Sequence, residues 1–467
     1  MKPQAHVRPS QTIVLLGVLV FPAYVLSLSA CSDRAAPSPV VPPASAAPSA
    51  ALPERSLAYV PGESVTDRRI ARAQAAVRAT PASGDALSGL AILFLRRHRE
   101  TADGQHLRRA KELVDLALGV DADDPVALNL SGMLAMQAHE FAAARAVAER
   151  ILTHDRQDTT ALLLLGDAES ELGDYDDAAE VYQRAADLRP DLGTYNRGAY
   201  VRWLHGDAAG ALELHELSLD SGSLNDPESS AWCWVDLATV HWHLGNRLQV
   251  KVALERALAL VPDYLPALRL KARLLVSEGR DAEAIAILTS TLERQELVGE
   301  LLFLAELLES QGQHDAAAAR VTRAVRIRRE DTRTLAVYWL RHGLESADAL
   351  GTMERELAKR HDVYTQSAHA MALARAGRFP AARQEMERAL ALWTPDVGLI
   401  LASGLVAHLA GDDVAARAAL TRARTLNAFV DPFLFRTLAT ELGEPAAQPS
   451  PLAAQPTPIA APPAAAP

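Results

Sequence analysis

The sequence predicts an all-α chain of repeated helix pairs, and three observations carry that expectation. The composition is 49% hydrophobic but only 5% aromatic. Alanine and leucine supply much of the apolar content, which suits helices packed at close range; sandwiches and barrels draw instead on β-branched and aromatic residues. Between Ser64 and Leu442 apolar residues recur at the helical period. Over the same stretch glycines recur at a longer one. Gly173, Gly206, Gly245, Gly279 and Gly312 lie 33 to 39 residues apart, and Gly377 and Gly411 lie 34 apart.

Taken from the N-terminus, the first element is an address. Lys2 and Arg8 are the only charged side chains before residue 33, and an apolar run from Ile13 to Leu28 follows. That is the layout of a secretory signal segment. Pro22 interrupts the run, which is close to the shortest that spans a bilayer. The run ends in Leu28-Ser29-Ala30-Cys31, which resembles the lipobox of bacterial lipoproteins. The resemblance implies cleavage after Ala30 and acylation of Cys31, whose thiolate is the nucleophile. Ser32 at the next position resembles the outer-membrane type. The implied location is the cell envelope, lipid-anchored at the outer membrane and facing the periplasm.

Residues 34–55 and 445–467 are Pro/Ala/Ser segments with almost no charge, and they hold more than half of the 27 prolines. Such segments bury no core and are expected to be extended and disordered. The first would hold the folded body away from a membrane.

Between them, one unit shows the repeat pattern in full: Leu162-x-x-Leu165-Gly166-x-x-Glu169, Gly173-Asp174-Tyr175-x-x-Ala178, Tyr182-x-x-Ala185 and then Pro190. It resembles the tetratricopeptide repeat (TPR), with its period of about 34 residues. Small residues that let the two helices of a pair approach stand at Gly132, Gly166, Ala238, Ala272, Ala305, Ala370 and Gly404. The turn glycines Gly173, Gly206, Gly245, Gly279, Gly312, Gly377 and Gly411 suit left-handed caps. Ala144, Ala178, Ala211, Ala284, Ala317, Ala382 and Ala416 pack the second helix into the contact, and Pro190 and Pro262 stop it. The resemblance implies an α-α superhelical solenoid whose first helices, here called helix A, line a concave face.

The array opens with a lone helix near 66–80. A degenerate pair at 85–120 follows, with extra residues RHRETADG expected in its turn. The widest glycine gap holds an inserted loop, SGSLNDPESS. The unit Thr332–Arg360 departs from the pattern, with Ser346 and Gly351 where glycine and alanine belong. A helix near 432–442 caps the array. The chain therefore divides into a signal peptide at 1–30, a disordered linker at 31–63, a solenoid at 64–442 and a disordered Pro/Ala tail at 443–467. The solenoid would hold about nine to ten helix pairs, irregular near 85–124 and 332–361.

Searching the same residues for chemistry yields no catalytic set. His139-Glu140 and His215-Glu216 begin a zincin motif, but Ala143 and Leu219 stand where the second histidine belongs. His241 and His243, two apart on one helix, point to nearly opposite sides. Cys233 reads as a buried thiol. No G-x-S-x-G or Walker A loop is present. No catalytic residue, metal or cofactor is expected. A formal net charge of −11 also speaks against a nucleic-acid partner.

The expected function is therefore a non-catalytic protein-binding scaffold. On TPR units, helix-A positions two, five, nine, twelve and thirteen face the groove. Here they place Asn196, Tyr200, Trp203, Trp232, Trp242, His243, Arg269 and Arg273 in the middle of the array. Aromatic anchors beside arginines compose a binding hot spot, and two arginines one turn apart suit a carboxylate. Asp167, Glu171 and Glu306 flank that surface with acidic groups. A chaperone C-terminus is not implied, because the family's lysine and asparagine clamp is missing. The rival expectations are an assembly accessory that works through its convex face or ends, and an enzyme with an unrecognised site.

Overall fold

The structure, a computed structural model, describes residues 54–451 apart from 59, 61, 63, 102, 223–225 and 328–330. The signal peptide, Cys31, the linker up to residue 53 and the tail beyond 451 lie outside the described residues. The described part is all-helical, with 23 helices and no strand. α1 (Glu54–Leu57) and α2 (Val65–Ala79) come first. Then come pairs: α3 (Gly84–Thr101) with α4 (Gly104–Val120), α5 (Pro125–Gln137) with α6 (Phe141–His154), and α7 (Thr159–Leu172) with α8 (Tyr175–Leu188). α9 (Leu192–Leu204) pairs with α10 (Ala208–Asp220), α11 (Pro227–His243) with α12 (Arg247–Leu260), and α13 (Leu265–Ser277) with α14 (Asp281–Arg294). α15 (Val298–Ser310) pairs with α16 (His314–Ile327), and α17 (Thr332–His342) with α18 (Ser346–Leu357). α19 (Val363–Arg375) with α20 (Phe379–Ala389) and α21 (Val397–Leu409) with α22 (Asp413–Leu426) complete the pairs, and α23 (Pro432–Glu441) follows.

Local chemistry explains where these helices begin and end. Asp124, Asp158, Asp191, Asp331, Asp362, Asp396 and Asp431 each accept backbone N–H bonds at the start of a helix A, or of α23. A side-chain carboxylate there satisfies donors that have no partner inside the helix and suits the positive end of its dipole. At the other end, all seven turn glycines adopt positive φ, from 71° to 89°. That region costs a side chain roughly 1–2 kcal/mol.

The small residues sit where the pairs touch. A Cβ on Gly166 would come within 2.5 Å of the Tyr182 ring, which is fully buried across the pair. The helix-B alanines at 144, 178, 211, 284, 317, 382 and 416 are all buried. The core is accordingly not one cluster. It is a chain of them, each shared by adjacent pairs, as a stacked repeat array requires.

Three local expectations are corrected, and one further turn departs from the glycine pattern. The extra residues RHRETADG do not form a long turn. Most of them extend α3, which runs on to Thr101. In the irregular unit the left-handed cap is Gly343, at φ 66°, and not position 346. α17 simply ends early, and Ser346 begins α18. The α5–α6 turn has no glycine at all: His139 takes the left-handed conformation at φ 58°. Part of the first expected linker is ordered too. In α1, Ser56 is buried and donates to Glu112 at 2.8 Å.

Candidate functional site

The eight expected groove residues come from three consecutive A helices, α9, α11 and α13. The expectation turns those helices toward the axis of the superhelix. The axis, however, is not open there. Residues 185 to 190 apart in sequence meet across it. One superhelical turn thus closes onto the next.

The closure is a ladder. At its first rung the Arg360 guanidinium pairs with Glu171 at 3.0 Å, and the Val363 N–H donates to the Tyr175 hydroxyl at 2.9 Å. At the second, the Thr394 hydroxyl donates to the Leu204 carbonyl at 2.6 Å, while Trp393 backs onto Gly206. At the third, the Asn427 amide donates to the Trp242 carbonyl at 2.7 Å, and the Val397 N–H to His243 Nδ1 at 3.2 Å. In each rung a loop that follows a helix B of the C-terminal pairs sits on a helix-A turn of the middle pairs. The turn glycines permit this. A Cβ on Gly173, Gly206 or Gly245 would lie 2.7, 3.1 or 2.2 Å from a carbonyl oxygen of the opposite loop.

This closure corrects the expectation of an exposed aromatic groove. Trp203 is 0% and Trp242 2% exposed. Asn196, Tyr200 and His243 are buried as well. Trp203 packs with Val363 and Leu399 from the C-terminal pairs and lies 5.5 Å from the His243 ring. Asn196 is held between Asp236, at 2.7 Å, and His215, at 2.8 Å. The acidic flank is also spent internally. Asp167 takes two bonds from Arg197, at 2.6 and 2.7 Å, and one from Tyr182 at 2.6 Å. Glu306 pairs with His342 at 2.8 Å.

The buried groups titrate accordingly. Burial, with repulsion from Asp362, pushes Glu171 up to about 7 against the pull of Arg360. Burial takes His215 down to about 3 and pushes the Cys233 thiol well up. Cys233 is fully buried against the Ser218 hydroxyl. Among the described residues, no group of three or more His, Cys, Asp or Glu side chains is placed to hold a metal ion.

Three of the eight residues keep part of their surface: Trp232, Arg269 and Arg273. Arg273 lies over the Phe303 ring at 4.1 Å and pairs with Glu300 at 3.3 Å. Arg269 donates to Gln295 at 2.7 Å. The C-terminal pairs extend this strip with side chains that the sequence reading missed. Phe433 meets Phe303 edge-on at 5.7 Å, and the exposed Arg436 lies 5.7 Å from the Phe433 ring. Phe429 packs against the same cluster as Trp232. No local signal marks these residues. The one hint is that Trp393, Phe429 and Phe433 fall in or next to loops, where aromatics have no intra-pair partner.

The tetratricopeptide-repeat family model matches residues 129–192 and 367–429, that is, the middle of α5 to α9 and α19 to the loop after α22. A search of curated proteins with this sequence gives no significant match. Among solved structures the chain is similar to PilW, a widely conserved type IV pilus biogenesis factor. That similarity has 20% identity and a TM-score of 0.35, over 42% of this chain and 90% of that one. It is similar to the human IFIT1 dimer with PPP-AAAA, at 15% identity and a TM-score of 0.45, over 67% of this chain and 73% of that one. It is also similar to YrrB, a TPR protein with an unusual peptide-binding site, at 19% identity and a TM-score of 0.27, over 43% and 98% respectively.

Proposed function

This chain is a tetratricopeptide-repeat protein, and we propose that it is a non-catalytic scaffold that binds a protein partner along the strip from Trp232, Arg269 and Arg273 to Phe433 and Arg436. The observation that carries the reading is the charge of that strip. Arg269 and Arg273 lie one helical turn apart beside a single carboxylate, Glu300, while Gln295, the hydrogen-bond partner of Arg269, is neutral. Burial disfavours the charge on Arg269; Glu300 offsets part of this, and the neighbouring Arg273 and Arg294 disfavour the charge further. A partner carboxylate entering here meets under-compensated guanidinium groups with donors in a fixed fork. Phe303, Phe433 and Trp232 supply apolar surface beside them, the combination found at interface hot spots.

Asn196, Tyr200, Trp203, Trp242 and His243 stand behind this strip. Tyr200, Trp203, Trp242 and His243 join the two superhelical turns and Asn196 braces α9 against α10 and α11, so in this reading they support the strip and do not touch a partner. The N-terminal sequence supports a location on the bacterial envelope, with lipid on Cys31 and the body in the periplasm. No helix among the described residues is long and apolar enough to cross a membrane.

One observation favours a second reading, an assembly accessory that works through another surface. Trp393 is 77% exposed and held at φ 62°, with its backbone against Gly206. Pull-downs from solubilised envelopes with wild type, a Trp232→Ala/Arg273→Ala variant and a Trp393→Ala variant separate the two. The strip reading expects loss of the partner only from the double variant. Loss only from Trp393→Ala transfers the function to the second reading.

A further inference from the structure

A fourth rung of the ladder is not made by a loop between helices. It is made by the Pro/Ala tail. After α23 the chain turns at Gly443, at φ 68°, and runs extended, back over the preceding superhelical turn. Arg417 donates to the Glu444 carboxylate at 2.7 Å, and Arg424 to the Pro445 carbonyl at 2.9 Å. The Ser450 N–H donates to the Ser277 carbonyl at 3.1 Å. Arg247 donates to the Ser450 carbonyl at 2.5 Å and to its hydroxyl at 3.1 Å. Pro449 lies against Gly279, where an added Cβ would be 3.4 Å from the Pro449 Cβ. Ala446, Ala447 and Pro449 share the walls of one cleft with Val276, Leu307 and Phe433. The tail was expected to be disordered from 443 onward, so its ordered start is a correction with a physical cause. Backbone bonds and a cleft of mixed character, with Asp281, Ser310 and Arg436 beside its apolar side chains, hold a segment that has no secondary structure of its own.

We propose that the surface around Arg247, Ser277 and Gly279, with the cleft beside it, is a receptor site for extended, uncharged Pro/Ala/Ser peptides, and that residues 445–451 are a built-in ligand lying on it in the resting chain. The inference rests on the reading of the chain as a binding scaffold and adds a second ligand, whose site borders the strip at Phe433 and Arg436. Three features favour a peptide site over a terminal brace. From Ala446 to Ser450 the polar contacts go to backbone atoms and to one serine hydroxyl, so the site reads chain direction and small side chains. Residues 445–467 carry no charged side chain, so no ion pair ties the segment down. Unlike the loops of the first three rungs it does not join two of the described helices, so it leaves without unfolding a repeat. A proline-rich extended segment also gives up little conformational entropy on binding.

Tethering sets the behaviour. A short link to α23 gives the tail an effective concentration in the millimolar range or above, so a free peptide of equal intrinsic affinity competes poorly with it. Detaching the tail should therefore reveal the site. The probe is a fluorescein-labelled peptide copying residues 443–453, titrated by anisotropy against the full chain. Wild type is compared with a full-length Ala447→Trp/Ser450→Pro variant, which puts a ring in place of the half-buried Ala447 methyl and removes the N–H and hydroxyl of Ser450. The peptide should bind the detached-tail variant at least about tenfold more tightly than wild type. Adding Arg247→Ala to that variant should weaken it about tenfold again, with helicity unchanged. Equal affinity for wild type and the detached-tail variant overturns the proposal, as does indifference to Arg247→Ala or failure to bind either chain. A failed peptide titration beside a pull-down that still depends on Trp232 and Arg273 would sink this site and leave the scaffold reading standing.

Discussion

Replacing Gly245 by alanine tests whether the two superhelical turns pack on one another. The position carries two separable costs. Its φ of 75° penalises any Cβ by about 1–2 kcal/mol. The added Cβ would also lie 2.2 Å from the Leu426 carbonyl oxygen. That oxygen is backbone, so no rotamer change relieves the overlap, and the turns must separate by roughly an ångström. Overpacking of this kind costs about 1–3 kcal/mol. Separation also stretches the 2.7 Å bond from Asn427 to the Trp242 carbonyl, worth roughly another 1 kcal/mol. Gly312 is the matched control: φ is 71°, and nothing lies within 4 Å of its added Cβ. We expect Gly312→Ala to cost about 1–2 kcal/mol and Gly245→Ala about 3–5 kcal/mol. Urea denaturation followed by circular dichroism measures both. Small-angle scattering should show an increased radius of gyration for Gly245→Ala alone. Equal destabilisation by the two substitutions, with unchanged scattering, would refute the closed ladder.

Other outcomes follow from the same contacts. Glu171 has a folded-state pKa raised to about 7. Its contribution to stability is therefore fully present below the unfolded value near 4.5 and is lost as pH rises through about 7. Glu171→Gln should flatten the fall in melting temperature between pH 5 and 8, and an unchanged slope would show that Glu171 stays ionised throughout. Arg360→Ala should cost on the order of 3–5 kcal/mol, because it leaves the buried Glu171 without its paired cation and Asp362 with Arg333 alone; denaturant midpoints check it. Cys233, fully buried with its thiol pKa pushed up, should resist a thiol reagent in the native chain and react only on unfolding. Cys31→Ala should abolish lipid labelling and release the protein from membranes. Persistent labelling would exclude the lipobox reading.

Much of the fold was legible before any coordinates because its determinants are local. A left-handed cap needs glycine within one turn of a helix end, so Gly173, Gly206, Gly245, Gly279, Gly312, Gly377 and Gly411 could be read directly. Gly343 escaped notice because α17 ends early, which the periodic pattern does not forbid. His139 escaped because its left-handed conformation is unusual for a residue with a Cβ. The caps at Asp124, Asp158 and Asp191 lie in the sequence too, one residue before each helix, and an explicit search for them would have drawn the helix starts more sharply.

The site divides in the same way. Sequence alone determined that α9, α11 and α13 turn their large aromatics and arginines toward the axis, since a period of 3.6 residues decides which way a side chain faces. It could not say what stands opposite. Trp203 and Trp242 are core residues and not open anchors because Val363, Thr394 and Asn427 arrive from 160 to 190 positions away. Each repeat adds a small rotation fixed by the packing of its own pair, and no single unit encodes the sum. Whether a turn of the solenoid stays open or closes on the next is set by that accumulated geometry. Tertiary structure therefore decided which of the inward-facing residues became structure and which were left for a partner.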